Sequence, residues 1–317
     1  MPIFLSEQNV EQILTMSDAL RLVEDALCDF GNGGAQNRPR QRVRAANGVL
    51  HVMSAGWLAR GYIGFKAYTG FRGGARFYFH LFDSNSGEYL AILAADRLGQ
   101  MRTGAASGIA TKYLAREDAQ SVGLLGAGWQ AEAQLEALCA VRDIRHVRVF
   151  SRDAARRKAF AEKMAARLNV TIEAVDSAEH AAREANIVVT ITSAGAPVLK
   201  GEWLKPGAHV NAAGSNWAHR REVDSETVKR ADAIFVDSIE DAQIEAGDLV
   251  IPVSEGVIGW QQVQELAALV AGRATGRTRA DAITLFKSNG IALEDVAVGS
   301  FVYERAQQMN VGQALPF

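Results

Sequence analysis

The sequence predicts an α/β protein in two parts: an N-terminal α+β segment built on antiparallel strands, and a following doubly wound parallel sheet. Three observations carry this expectation. From Arg40 to Leu93 apolar and polar residues alternate in short runs separated by turn residues, the period of half-buried strands. From about Asp118 onward, short apolar runs alternate with helical stretches, the rhythm of βαβ crossovers whose strands are covered on both faces. The third is length, since 317 residues exceed what a single core usually organises. The division is expected near residue 115, giving a first domain 1–115 and a second 116–292.

Taken in order, the chain should open with a helix capped by Ser17, burying Leu20, Val23, Leu27 and Phe30 and ending before Gly31. Strands follow at Val49–Met53, Tyr62–Thr69, Ala75–Phe82 and Tyr89–Leu93, the last two joined in a hairpin by Asp83-Ser-Asn-Ser-Gly87. The parallel strands are expected at Ser121–Leu125, His146–Phe150, Ile187–Thr190, His209–Ala212 and Ala233–Asp237. A last helix, Leu293–Met309, follows the final βα elements and is free to return to the first domain.

Composition excludes several function classes. A chain that is 48% hydrophobic and 22% charged has an ordinary globular balance, and a net charge of −2 without a Lys/Arg block offers no general hold on nucleic acid or an anionic membrane. No apolar run reaches a membrane span and the N-terminus lacks a signal pattern, so a cytoplasmic protein is expected. Cys28 and Cys139 lie in helical stretches without CxxC spacing and read as reduced, buried thiols. Six scattered histidines lack ligand spacing, so no metal is expected.

Ser121-Val-Gly-Leu-Leu-Gly126-Ala127-Gly128-Trp129-Gln130-Ala131 is an apolar strand, a glycine turn and the start of a helix. This is the GxGxxA form of the Rossmann fingerprint. Gly126 makes the sharp turn, Gly128 lets backbone approach a pyrophosphate, Ala131 lets helix meet sheet, and helix N-terminal amides face the phosphates. Glycine turns also occur for structural reasons, but the strand–turn–helix context favours a dinucleotide. At the end of the next strand, Ser151 stands where an acid would hold the ribose hydroxyls of NAD(H). Ser151, Arg152 and Arg156 would instead accept a 2′-phosphate, so NADP(H) is favoured and NAD(H) remains open. Alternatively, Asp153 merely caps the helix Ala154–Leu168 and the arginines are solvated.

Lys66 sits in an otherwise uncharged strand, on the face of Tyr62 and Tyr68 if alternation holds. A buried lysine is costly unless it meets an anion or loses its proton, which makes it a site candidate; an edge-strand lysine reaching water is the alternative. Arg102 falls near the start of a small-residue helix, against the helix dipole, a placement that makes sense when an anion sits beside it. Arg40 and Arg42 alternate onto one strand face and would complete a carboxylate clamp, or else form a solvated basic strand with Arg38 and Arg44.

These motifs join in one resemblance. Leu50-His-Val-Met53, Gly64-Phe-Lys66, Met101–Leu114, Leu125–Ala131, Gly207–Gly214, Phe235–Ser238 and Leu285–Gly290, in this order, resemble the ornithine cyclodeaminase/mu-crystallin family over nearly the whole chain. The resemblance implies a homodimer joined through N-terminal sheet domains, a Rossmann domain in each subunit, and a C-terminal helix, about 293–317, that returns to the dimerisation domain. It places the substrate lysine on Lys66, the carboxylate-binding arginine on Arg102 and a second arginine on Arg40 or Arg42. Gly126, Gly128, Gln130, Ser151, Arg152, Thr192, Ser193 and Gly214 fall in its cofactor-binding segments. One departure matters: cyclodeaminases carry an acid/base aspartate after the Asn211-Ala-Ala-Gly214 strand, and Asn216 stands there here. An amide cannot take a proton near neutral pH.

The expectation is therefore an NAD(P)H-dependent reductase of a small carboxylated cyclic ketimine, Δ1-pyrroline-2-carboxylate or Δ1-piperideine-2-carboxylate. Arg102 with Arg40 or Arg42 would hold the carboxylate, Lys66 would stabilise charge or supply the proton, and Asn216 would hydrogen-bond the nitrogen. The rivals are amino-acid (alanine) dehydrogenation, ornithine cyclodeamination with tightly held NAD, and a non-catalytic ligand carrier like mu-crystallin.

Overall fold

The computed structural model describes residues 1–316. The chain divides into two compact units: Met1–Arg102 with the segment from Ile291 onward, and Thr103–Gly290. In chain order the first unit holds β1 (Ile3–Leu5), α1 (Glu7–Ile13), α2 (Met16–Gly31), β2 (Gln36–Ala45), β3 (Gly48–Trp57), β4 (Tyr62–Phe71), β5 (Gly74–Asp83), β6 (Tyr89–Ala94) and the start of α3 (Asp96–Leu114). The second holds the rest of α3, then β7 (Ser121–Leu125), α4 (Trp129–Val141), β8 (His146–Phe150), α5 (Ala154–Leu168), β9 (Thr171–Ala174), α6 (Ala178–Ala182), β10 (Ile187–Thr190) and β11 (His209–Ala212). It continues with α7 (Ser225–Arg230), β12 (Ala233–Val236), α8 (Ile239–Glu245), α9 (Gly247–Ser254), β13 (Val263–Glu265), α10 (Leu266–Val270) and β14 (Thr284–Lys287). The chain then re-enters the first unit with α11 (Ala292–Met309) and β15 (Gln313–Ala314).

The first unit is a seven-stranded mixed sheet in the order β15-β1-β6-β5-β4-β3-β2. Its cap differs from expectation: the side chain of Thr15, not Ser17, accepts the Asp18 amide at the start of α2, and the helix runs through Gly31 to Asn32. The Asp83–Gly87 hairpin forms as expected, with the Asp83 carboxylate accepting the amides of Asn85 (2.8 Å) and Ser86 (2.7 Å). In β2, Pro39 has no N–H for the ladder, and the register slips there so that Pro39 and Arg40 together stand opposite Met53. One sheet face, carrying Met53, Trp57, Phe79, Leu81 and Leu93, is buried, and α11 packs over it and against α2. The last helix ends at Met309, as expected of Leu293–Met309, with Asn310 in a left-handed conformation; within the segment about 293–317 a two-residue strand follows and pairs with β1, and residue 317 lies outside the described residues.

The second unit is an all-parallel sheet in the order β13-β12-β14-β11-β10-β7-β8-β9. Three strands went unread in the sequence: β9, β13 and β14, the last inserted between β11 and β12. Apolar layers cover both faces, one around Leu124, Leu138, Val149 and Met164, the other around Val188, Val210, Leu249 and Leu285. Each such side chain contributes about 1.5–3 kcal/mol by leaving water. Strand order reverses at β7, between β8 and β10, and an open α/β sheet binds ligands at the carboxyl ends of strands beside such a reversal. No helix among the described residues is long and apolar enough to cross a membrane.

Candidate functional site

In the second unit the glycine turn lies at the carboxyl end of β7, beside the strand-order reversal. Gly126 has φ +124°, and a Cβ there would lie 2.3 Å from the carbonyl oxygen of Ile191, just beyond β10. Only glycine fits that approach. Gly128 is the residue before α4; no side chain caps this helix start, and a Cβ on Gly128 would meet nothing within 4 Å. Open space before this uncapped start and the dipole of a 13-residue helix form a cradle for an anion, and the Oε1 of Gln130 in its first turn is buried without a hydrogen-bond partner. Ala131 is fully buried where helix meets sheet, whereas Trp129 projects outward. The turn Gly126-Ala127-Gly128 fits the pyrophosphate of a dinucleotide.

Beyond β8, Ser151 Oγ donates to the Asp153 carbonyl (3.0 Å), and Asp153 caps α5 through the Arg156 amide (3.0 Å). Arg152 and Arg156 are exposed. Arg157, which the sequence reading passed over, lies against the Phe150 ring, donates to the Ser151 carbonyl (3.1 Å) and pairs with Asp176. No carboxylate stands at position 151.

The loops after β10 and β11 are tied by Glu222, another residue the sequence reading missed. Its carboxylate accepts from Thr190 Oγ1 (3.0 Å), from the Thr192 amide (2.6 Å) and hydroxyl (2.7 Å), and from the Gly214 amide (2.7 Å). Burial, with Asp248 beside it, raises its pKa. Lys287 Nζ pairs with Asp248 (3.1 Å) and donates to the Ser215 carbonyl (2.5 Å), fixing the segment that leads to Asn216. Thr192 and Gly214 thus spend their amides on Glu222, while Ser193 is exposed and Asn216 half-buried.

The first unit gathers the other candidates. Lys66 is no edge residue: β4 lies between β3 and β5, and the side chain is 2% exposed. Register places it on the face of Tyr62 and Tyr68, as alternation implied. Its ammonium donates to Asp295 Oδ1 (2.9 Å) and lies over the Phe77 ring (5.3 Å). Space for it exists because residue 99 is glycine, where a Cβ would stand 2.6 Å from Nζ. Desolvation lowers the Lys66 pKa to about 8, with Asp295 pulling upward and Arg102 and Arg40 pushing down. Arg102, also buried, donates from Nε to the same Asp295 oxygen (3.2 Å) and from Nη1 to Glu294 Oε2 (2.8 Å). Burial works against its charge, but the two carboxylates raise its pKa.

Arg40 and Arg42 differ in burial and in what they touch. The bulge at Pro39 buries Arg40, whose guanidinium donates to the Tyr68 hydroxyl and pushes on Lys66; Arg42 is half-buried and acts on His51. His51 stacks on Tyr68 with ring centroids 4.3 Å apart, and desolvation followed by Arg40 and Arg42 lowers its pKa to about 4, leaving it neutral. The buried ionisable side chains gathered here are Arg40, Lys66, Arg102, Glu294 and Asp295. The pair of acids escaped the sequence reading because two acids at a helix start read as ordinary complements of its dipole. Cys28 and Cys139 are free and half-buried, and no cluster of three potential metal ligands occurs among the described residues.

The profile of the ornithine cyclodeaminase/mu-crystallin family matches residues 1–310. A Δ(1)-pyrroline-2-carboxylate reductase of Bacillus cereus is 39% identical over 238 residues, 75% of this chain and 73% of that protein. The solved Δ(1)-pyrroline-2-carboxylate reductase of Thermococcus litoralis, in complex with NADH and L-proline, superposes with a TM-score of 0.95 at 36% identity, covering 99% of this chain and 100% of that one. An archaeal alanine dehydrogenase dimer with bound NAD gives a TM-score of 0.94 at 34% identity, covering 100% of this chain and 99% of that one. Match and identity extend across both units, so the chain belongs to the ornithine cyclodeaminase/mu-crystallin family.

Proposed function

We propose that this chain is a nicotinamide-dependent oxidoreductase acting on the C=N bond of a small carboxylated imine, a cyclic ketimine of the Δ1-pyrroline-2-carboxylate or Δ1-piperideine-2-carboxylate type. The observation that carries the reading is the convergence of Arg40, Lys66 and Arg102 in one buried cluster, with Arg40 and Arg102 both acting on the Lys66 ammonium. Two guanidinium groups and an ammonium brought together are the donors that recognise a carboxylate. Arg102 and Arg40 hold that carboxylate, and Lys66, protonated at neutral pH, donates a proton to the imine nitrogen. The dinucleotide, when bound, supplies a hydride to the imine carbon. Gly126, Ala127 and Gly128 hold its pyrophosphate, with Trp129 and Gln130 in the first turn of α4; Thr192, Ser193 and Gly214 border it.

NADP(H) is favoured at this site because Ser151 brings no carboxylate against a 2′-phosphate, while Arg152, Arg156 and Arg157 stand at the start of α5. The related structures with NADH and NAD keep NAD(H) as the alternative. Alanine dehydrogenation is the second reading: it is the same redox step on an open-chain substrate, and a relative carries that name. Cyclodeamination is disfavoured by the amide at Asn216. A homodimer is part of the proposal, because the sheet face opposite Lys66 presents Val43, Leu50, Ile63 and Tyr78 to solvent, and the archaeal relative is a dimer.

The test is cofactor oxidation by purified protein with each cyclic imine, run with NADPH and NADH, beside NAD(P)+ reduction with alanine and proline formation from ornithine. Imine-dependent NADPH oxidation lost in Lys66→Met supports the reading. Ligand binding without turnover of any substrate would place the chain with the non-catalytic carriers.

A further inference from the structure

Glu294 and Asp295 are adjacent acids on the first turn of α11, and both are buried. Asp295 Oδ1 is shared, at 2.9 Å from Lys66 Nζ and 3.2 Å from Arg102 Nε, while Glu294 Oε2 accepts from Arg102 Nη1. Asp295 Oδ2 is buried with no hydrogen-bond partner among the described residues. A carboxylate placed for fold stability alone would have both oxygens met, since an unmet buried acceptor costs free energy. Its position is explained if it organises the two cations.

We propose that Asp295 is a positioning residue for the imine reduction inferred above: its bridging oxygen sets the spacing between proton donor Lys66 and carboxylate anchor Arg102. Glu294 holds the Arg102 guanidinium, and so serves substrate binding. In the reduction the imine carbon would gain hydride from NAD(P)H, which becomes NAD(P)+, and the imine nitrogen gains the Lys66 proton; the neutral Lys66 amine is then reprotonated from water. The groups facing Lys66 are Asp295 from α11, Arg102 from α3, Arg40 from β2 and the Phe77 ring from β5. Behind these stand Glu294, Tyr68 and the neutral His51. Asp295 is the carboxylate that bonds Lys66 itself, so the charge state of Lys66 reports on it.

The inference rests on the imine-reductase reading and is separable from it. With Asp295→Asn, kcat falls by about 10²-fold and the alkaline limb of the kcat profile moves down by about one pH unit or more, because the opposite charge that favours the ammonium is gone. In the protein without cofactor or substrate, 15N-lysine NMR, with the Lys66 signal assigned by its absence in Lys66→Met, shows the same downward move. Glu294→Gln raises KM and leaves the limb in place. Asp295→Glu keeps the charge, displaces it by one methylene, and lowers kcat with the limb near its original pH. That variant decides the matter if Asp295→Asn does not fold: full kcat in Asp295→Glu overturns the proposal. An unmoved limb in a folded Asp295→Asn overturns it too. Absence of imine turnover by the unaltered protein rejects the functional reading instead.

Discussion

Glu222 Oε2 accepts the Gly214 amide at 2.7 Å, and a Cβ on Gly214 would stand 2.4 Å from Oε1 of the same carboxylate. The approach is possible only because residue 214 is glycine, and it leaves Glu222 able to hold Thr192 at the same time. Gly214→Ala therefore pushes the carboxylate off both loops. Losing buried hydrogen bonds to a charged group costs about 2 kcal/mol. We expect that loss in urea unfolding, together with weaker dinucleotide binding in fluorescence titration. A Gly214→Ala protein of unchanged stability and affinity would show that Glu222 does not organise these loops.

The two glycines of the cofactor turn should fail in different ways. Gly126→Ala must adopt φ +124° and crowd the Ile191 carbonyl, so it loses about 3 kcal/mol or more of stability. Gly128→Ala meets nothing in the folded chain and should unfold like the parent, yet its methyl fills the space before α4. Dinucleotide Kd then rises about 10-fold or more, equivalent to roughly 1.4 kcal/mol. Thermal melts with and without dinucleotide separate the two. Equal melting temperatures for both variants would contradict the distinction.

How far the site could be read in advance followed from how local its causes are. The glycine turn and the lone Lys66 in an uncharged strand announce themselves within ten residues of chain. Asp295 does not, because its meaning depends on a lysine 229 residues earlier, and beside Glu294 it looks like any acid at a helix start. Arg40 and Arg42 are equivalent in a regular strand; the bulge at Pro39 separates them, and register slips are set by pairing partners. In the parallel sheet, β14 is a short buried run that carries a lysine, Thr284-Leu-Phe-Lys287, and its place between β11 and β12 is a property of topology, not of pattern. The last helix, Leu293–Met309, is legible because its pattern is local, whereas the two-residue strand after Asn310 is set by its pairing with β1.

Stability should decline on mild acidification because of buried histidines. His209 is fully buried against Thr284 and Asn211, and desolvation, followed by Arg277, lowers its pKa to about 3. Unfolded, it binds a proton below its ordinary value of about 6.5. The unfolded state therefore gains protons first, and stability is full above pH 6.5 and falls as pH drops toward 3, by about 1.4 kcal/mol per unit for this residue. His51, lowered to about 4, adds to the slope in the same direction. Denaturant unfolding between pH 6 and pH 4.5 measures it, and His209→Gln should make the dependence shallower whatever it does to stability at neutral pH. An unchanged slope in that variant would mean that His209 titrates normally in the fold.

The outer face of the first unit's sheet makes the last prediction. Val43, Leu50, Ile63 and Tyr78 are 65%, 37%, 37% and 42% exposed, and strand register sets all four on the face opposite Lys66. Beside them Phe65 stacks on His80, with centroids 4.3 Å apart, and Phe82 meets Tyr89 edge to face. An apolar sheet face of this kind is costly in water, and a second copy of the same face would cover it with two-fold symmetry, as the proposed homodimer requires. Ile63→Asp places a charge on each side of such an axis, so both copies of the substitution weaken one interface. Because Ile63 is already partly in water, the protomer itself should fold, with circular dichroism like the parent's. Light scattering coupled to size exclusion is expected to give twice the 34.2 kDa chain mass for the parent and about the chain mass for the variant. A parent that elutes as a monomer, or a variant that stays a dimer at low micromolar concentration, would mean that this face is not where the copies join.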